Sequence, residues 1–408
     1  MVRSTHAILF SLILCGLGTP CLAEHPIQNL IDLTPAGGRL TPEPGTYRGP
    51  AVIDKPMTLD GMNQVIIDGH RQGVVLTIDS PGVVVRNLRL TGSGHSHDTV
   101  DAGILVRADS VLVEHNLLDN VLFGIHLQQC RNVVVRRNQV SSIGEDRTLR
   151  GEGLRLWYSE DNLIENNRFF RVRDLVLSNS TRNVLKDNRI IESRMGIEFI
   201  RSPDNEVSGN ILEGNDHGIV GIYSDSLKIH HNFISHQDNL LGSAIAVKGS
   251  SKTMIADNRI LDCAIGLTAN SPMFPENILY IHRNHFAYND VAMYFYGDRG
   301  GHVIHGNSFQ GNFQQVAVTG PTSAVENDWL GNFWQDYRGF DQDGDGIGDK
   351  PYTVFQYSER IWMDRAMARF FRGSPVLEMV DFVQRLAPLS PPVVILEDPR
   401  PLFRNPQE

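Results

Sequence analysis

The sequence predicts an all-β protein: a right-handed parallel β-helix of about eleven or twelve coils with a small C-terminal helical cap or tail. The first observation behind this is a ladder of asparagines. In VLVEHNLL, VVVRRNQV, LIENNRFF, VLKDNRII, EVSGNILE, LKIHHNFI, TMIADNRI, LYIHRNHF and HVIHGNSF the aligned residues are Asn116, Asn138, Asn167, Asn188, Asn210, Asn232, Asn258, Asn284 and Asn307, spaced 22, 29, 21, 22, 22, 26, 26 and 23 residues apart. An apolar residue stands two positions after every one (Leu118, Val140 and Phe169 through to Phe309) and another three positions before it (Val113, Val135 and Ile164 through to Ile304). The second observation is a small residue followed by an aliphatic one between the rungs: Gly103-Ile104, Gly124-Ile125, Gly153-Leu154, Gly196-Ile197, Gly218-Ile219, Ala244-Ile245 and Gly266-Leu267. Alternation with period two argues for short strands. A repeat of this length makes one coil whose core is completed only by its neighbours. An inward Asn at a turn satisfies backbone groups that the turn leaves unpaired.

Taken in order, Arg3, the apolar run Ile8 to Gly18 and Cys21-Leu22-Ala23 read as a secretory signal peptide over residues 1–23. The run is too short to span a bilayer, so the expectation is an exported, periplasmic protein that does not itself cross the membrane. The β-helix is expected over 24–335, with Gly45 to Gly69 as opening coils, an acidic loop over 336–352 and a helical or extended segment over 353–408. Cys130 and Cys263 fall some five coils apart, on the order of 25 Å at ~4.8 Å per coil, so both are expected to stay reduced. A net charge of −10 argues against a nucleic-acid partner.

Longer coils mark insertions. GSGHSHDTVDAGI (Gly92 to Ile104) and SSIGEDRTLRGEGL (Ser141 to Leu154) both follow an Asn strand and precede a Gly-aliphatic strand, so they project from one edge of the rod. ISHQDNLLGSAI lies near the same edge, NSPMFPENI at a different turn. Loops gathered on one edge of a rigid scaffold suggest a binding surface, with Asp98, Asp101, Glu145, Arg150, Glu152, Arg155 and Trp157 as its candidate partner-binding residues. Drift of tolerant surface loops is the plain alternative.

His95 and His97 on the first insertion are candidate copper ligands. So are His282 and His305, which stand in a column two positions before the ladder asparagines: Glu114, Arg136, Glu165, Lys186, Ser208, His230, Ala256, His282, His305. Ion pairs between coils and solvated imidazoles explain that column equally well. Glu145, Asp146 and Glu152 are the acids nearest to what a polysaccharide-active β-helix enzyme would need, though Asn-Thr-Asp, Asp-Asp, Gly-His-Gly and Arg-Ile-Lys motifs are absent. In DQDGDGIGDK, Asp341, Asp343 and Asp345 alternate as Ca²⁺ ligands do, with the Ile347 carbonyl and Asp349 following. Tyr352 stands where an EF-hand has its bidentate Glu, so a structural calcium-binding rod is a third reading. Ser374-Pro375 starts a helix with Val376, Met379, Val380 and Val383 on one face. Trp362, Phe370 and Phe371 before it are candidate docking residues, for capping the rod or meeting a membrane permease.

GNFWQDYRGFDQDGDGIGDKPY (Gly331 to Tyr352), directly after the Asn-bearing coils, closely resembles the C-terminal signature of the NosD family. RGEGLRLWYS (Arg150 to Ser159) resembles that family's Arg-Gly-Asn-Gly-Ile-His-Leu-Trp segment, with Glu152 for Asn and Arg155 for His, and the VVILEDPRPLF tail is also similar. The resemblance covers nearly all of the chain after the signal peptide. It implies a periplasmic, non-enzymatic accessory protein that works with an ABC transporter, made of an ATPase and a permease, to assemble the copper–sulfur centre of nitrous oxide reductase. It also implies a link to a copper-carrying lipoprotein. Soft Cu⁺ prefers thiolate or thioether ligands, and the chain has no clustered Cys or Met motif, which favours a docking platform over a copper store.

Overall fold

The computed structural model describes residues 25–237, 239–270, 276–296, 300–319, 322–356, 374–386 and 393–405. The signal-peptide reading and the docking residues Trp362, Phe370 and Phe371 lie outside them.

Each regular coil has three strands, as in Val134–Arg136, Gln139–Ser142 and Leu154–Trp157. The first and second strands of successive coils form one 24-stranded sheet, folded at the Asn corner, and the third strands form a 12-stranded sheet. Pairing between coils is parallel, and the rod has twelve coils. The aliphatic columns point inward: Val113, Val135, Ile164 and Leu185 pair in register and are fully buried. Burying each such side chain contributes about 1.5–3 kcal/mol.

The corners decide the path. The residue before each ladder Asn has left-handed backbone, as at His115, Arg137, Asn166, Asp187 and Gly209, a conformation costing about 1–2 kcal/mol for most residues. The Asn side chain repays that strain with hydrogen bonds. The Asn188 N–H and its Nδ2 both donate to Asn210 Oδ1 at 2.9 and 3.0 Å, while Asn210 Nδ2 donates to the Leu185 carbonyl at 2.8 Å and to Asn232 Oδ1 at 3.0 Å. The ladder runs past Asn307 to Asn332, whose N–H and Nδ2 donate to Asp398 Oδ2 at 3.0 and 2.9 Å. Asp398, fully buried, is the last rung. A terminal rung need only accept, which suits a carboxylate.

The other corners carry shorter ladders. Asn162, Asn183 and Asn205 repeat the amide pattern. Serines 159, 180, 202, 224 and 250 each accept the N–H of the rung before, and Cys130 heads that column, its N–H donating to Ser159 Oγ at 3.2 Å. Cys263 is a rung of another, donating its N–H to Asn289 Oδ1 at 3.0 Å. Both cysteines are free and buried, and burial pushes the Cys130 thiol up to about 11.

The two ends are closed differently. At the first coil the helix Ile27–Leu33 buries Ile27 and Ile31. Its Gln28 amide donates to the Val52 carbonyl at 3.1 Å and accepts the Val52 N–H at 2.7 Å, taking the place of a neighbouring strand. At the last coil the aromatic stack Phe286–Phe309–Trp334–Tyr352, with centroids 5.3, 4.2 and 4.4 Å apart, continues the core into the antiparallel pair Tyr352–Gln356 and Val393–Asp398. The chain is helical again over Pro375–Leu386.

Asn210→Ala removes the acceptor for two buried donors and is expected to destabilise the chain by about 2–4 kcal/mol in urea unfolding. Asp398→Asn, which keeps an acceptor at the last rung, is expected to cost far less than Asp398→Ala in the same measurement.

Candidate functional site

Both N-terminal insertions leave the corner between second and third strands, and both are pinned down. In the first, Asp101 is buried and accepts the Ser96 N–H at 2.9 Å and the Thr99 hydroxyl at 2.7 Å. His95, His97 and Asp98 are exposed, and His97 meets the Phe123 ring edge-on at 5.4 Å. Beneath lies a satellite core of Ala102, Leu122 and Phe123, with Val74, Val100 and Ile143 packed against it, which joins the two insertions. In the second, the Arg150 guanidinium is buried and donates to the carbonyls of Gly144, Glu145 and Glu192 at 3.0, 2.6 and 3.0 Å. Arg147 reaches Asp216 at 2.6 Å, tying the loop across the following coils. Asp101 and Arg150 are therefore occupied in holding their loops, whereas Asp98 and Glu145 stay open to solvent. A hollow of about 320 Å³ opens beside Glu145, lined also by Ser141, Phe170 and Arg171.

A charged cluster follows along the same edge. Glu152 is buried and paired with Arg173, which also contacts Asp174 at 3.2 Å. Asp174, fully buried, takes the Arg194 Nε–H at 3.0 Å and the Met195 N–H at 2.9 Å. Beside this cluster runs the outward column of the third-strand sheet: His126, Arg155, Val176 and Glu198 pair strand to strand. Burial, with the Arg155 charge adding to it, pushes the His126 imidazole down to about 4. Burial and the neighbouring Asp174 hold the Glu198 carboxyl above the usual range, against the pull of Arg194 and Arg173. Trp157 lies two residues beyond Arg155 on the same strand, half-buried and edge-on to Tyr158 at 4.9 Å.

The reading of the insertions singled out Glu152, Arg155 and Trp157 but passed over His126, Arg173, Asp174, Arg194 and Glu198. A signal for two of these was available. The residue after each small-aliphatic pair is the outward column, so His126 and Glu198 follow Gly124-Ile125 and Gly196-Ile197 as Arg155 follows Gly153-Leu154.

The histidine candidates stay apart: His95 and His97 sit near one end of the rod and His282 and His305 near the other. His282 and His305 are register partners with rings 5.8 Å apart, and His305 Nε2 lies 3.0 Å from Asp328. Burial, then the His305 charge, lowers the His282 pKa. The outward column to which they belong carries ion pairs at its other end, Arg136–Glu114 at 2.8 Å and Lys186–Glu165 at 3.2 Å. Among the described residues the only group of three or more His, Cys, Asp or Glu whose ligand atoms converge is Asp341, Asp343 and Asp345, within 4.8 Å of one another. Both thiols are buried, each in a separate ladder. In the acidic loop, Asp349 accepts the Gln342 N–H at 2.6 Å, and Ile347 bridges to Leu402, binding the loop to the tail. Between the last coil and the C-terminal strand pair a cleft of about 600 Å³ is lined by Gln314, Gln335, Asp336, Arg338 and residues 352–355.

The coils and their ladders define a right-handed β-helix protein, and residues 61–169 match the model of the right handed beta helix region. Residues 141–339 match the model described as periplasmic copper-binding protein (NosD). Two curated relatives are each called "Probable ABC transporter binding protein NosD". The one from Pseudomonas aeruginosa is 29% identical, over 98% of this chain and 95% of its own length. The one from Stutzerimonas stutzeri is 28% identical, over 99% and 96%. Over nearly its whole length the chain is therefore similar to proteins of the NosD family. Among solved structures, the A-module of the Azotobacter vinelandii mannuronan C-5 epimerase AlgE6 is similar with a TM-score of 0.56 and 17% identity over 74% of this chain and 93% of that one, a likeness of fold alone. No described helix is long and apolar enough to cross a membrane.

The pH dependence of stability is expected to carry two opposite signatures. His126 is neutral when folded down to about pH 4, so its contribution is complete above about 6.5 and is lost as pH falls from there to about 4, by up to about 3 kcal/mol. His126→Gln should flatten that slope in urea unfolding followed across this range. Glu198 acts the other way: its raised pKa contributes stability at low pH that is lost as pH rises through the folded value, so Glu198→Gln should be more stable than the parent at neutral pH.

Proposed function

We propose that this protein is a periplasmic, non-enzymatic maturation factor that works with an ABC transporter in assembling the copper–sulfur centre of nitrous oxide reductase. The observation that carries this reading is the match to proteins named as ABC transporter binding proteins over nearly the whole of both chains. The chain acts as a docking platform, and copper is cargo passed between partners rather than a resident ion. The partners are the permease and ATPase, a copper lipoprotein and the reductase. Buried thiols, and histidine pairs set near opposite ends of the rod, support transit over storage.

Docking to the permease uses the C-terminal end. The helix Pro375–Leu386 exposes Val376, Met379, Phe382, Val383 and Leu386, an apolar stripe that a lone soluble helix would hide. Trp362, Phe370 and Phe371 extend that surface in our proposal, and Asp98, Glu145 and the insertion edge meet a soluble partner at the other end. The acidic loop holds a structural Ca²⁺ on Asp341, Asp343 and Asp345, with the Ile347 carbonyl and Asp349 nearby. Three carboxylates this close repel one another without a cation, and the loop's bridge to Leu402 makes the ion a fastening for the tail.

Deleting the gene should leave nitrous oxide reductase inactive and short of copper; a fully loaded, active enzyme in the deletion strain would refute the role. Met379→Glu with Phe382→Glu should lower reductase copper content while leaving the melting temperature of the purified chain unchanged. Added Ca²⁺ should raise that melting temperature, and Asp343→Ala with Asp345→Ala should abolish the rise.

A further inference from the structure

The outward face of the third-strand sheet carries a polar strip that docking at the rod ends leaves unused. Two of its atoms are buried and, among the described residues, without a hydrogen-bond partner: His126 Nε2, in a side chain 7% exposed, and Glu152 Oε2, in one 4% exposed. Folded proteins leave few such atoms, since each costs about 1–3 kcal/mol when nothing satisfies it. Both flank one guanidinium. His126 is the register partner of Arg155, and Glu152 Oε2 lies 3.7 Å from Arg155 Nη1, too far for a hydrogen bond. Trp157 projects from the same face of the Arg155 strand, and Glu198 stands two strands along the column.

The mixture of groups selects the ligand. Arg155, Arg173 and Arg194 exclude a bare cation, and Glu152, Asp174 and Glu198 oppose a polyanion such as a phosphate chain. A β-augmenting peptide needs a free strand edge, and the third strands here are paired on both sides except at the rod ends. What remains is a ligand with an apolar face for an aromatic ring and several hydroxyls that both donate and accept, which a pyranose provides. Hydrogen bonds to charged side chains are roughly twice as strong as neutral ones, and a strip running across strands ~4.8 Å apart suits an extended chain. We propose that the strip around His126, Glu152, Arg155, Trp157 and Glu198 binds an oligosaccharide. One sugar ring lies against Trp157, with its hydroxyls bonded to the partly exposed Arg155 and, once that side chain swings aside, to Glu152 Oε2 and His126 Nε2 beneath it.

The test applies the purified full-length mature chain to an array of neutral, N-acetylated amino-sugar and uronate oligosaccharides, followed by titration calorimetry of the best ligand. Binding should appear, and Trp157→Ala and Arg155→Ala should each weaken it at least tenfold. Arg155→Lys, which keeps the charge but loses the planar fork, should weaken it less, and Tyr280→Ala on the other sheet should leave it unchanged. Melting curves of all four variants identify any that fail to fold, and the Lys variant then decides. Neutral and uronate ligands compared on the same variants show whether Arg155 reads a hydroxyl or a carboxylate. The proposal is overturned if no oligosaccharide on the array binds, or if the bound one is indifferent to both Trp157→Ala and Arg155→Ala. Either result leaves the maturation role untouched, because that role is read from reductase copper content in the deletion strain.

Discussion

The rod depends on one interaction: a buried side-chain amide that bridges successive coils at a left-handed corner. A coil must turn sharply to return beneath itself, and a sharp turn leaves backbone N–H and C=O groups facing a dry core. An asparagine in that place accepts from the coil before and donates to both neighbours, as Asn210 does between Asn188 and Asn232. The amide suits an interior rung because it is donor and acceptor at once. Other groups serve elsewhere: the hydroxyls of Ser159 and Ser180, which accept an N–H and donate to a carbonyl, and, where only acceptance is needed at the end of the main ladder, the carboxylate of Asp398.

Because each coil rests only on its neighbours, every departure from regularity is confined to corners and ends. The helix Ile27–Leu33 closes one end with a glutamine amide, and the Val393–Asp398 strand closes the other with an aspartate. Insertions collect at the corner between second and third strands, where Arg150 and Asp101 spend their charge on fixing loop geometry. The charged cluster from Glu152 to Arg194 lies under that edge. A protein of this build offers rigid, separated surfaces: apolar stripe at one end, insertion loops towards the other, polar strip between. That geometry suits the docking role proposed above.

The cysteines and histidines illustrate how scaffold and chemistry compete for the same residues. Cys130 heads a serine column and Cys263 stands in an asparagine column, each joined to the next rung through its backbone N–H. Burial raises the Cys130 pKa and closes the thiol off from solvent. His282 and His305 are close only because their strands are in register.

The sequence by itself determined the β-helix, because stacked coils demand the same residue types at the same offsets, and nine aligned asparagines with their apolar partners make that demand visible. It also located the insertions and the edge they share. Asn332 was harder to see: it sits in GNFW, where the final coil has begun to merge with the cap. Asp398 was invisible as a rung, since it lies 66 residues beyond Asn332 and carries the wrong side chain for the pattern. Only the tertiary structure decided which loop charges point inward, because burial depends on what lies across the coil boundary rather than on the residue's own neighbours. Arg150 and Glu152 are two residues apart, yet one is caged by carbonyls and the other leaves an oxygen unmatched beside Arg155. Periodicity reports which face a residue occupies, but hydrogen-bond satisfaction is settled by partners from distant coils.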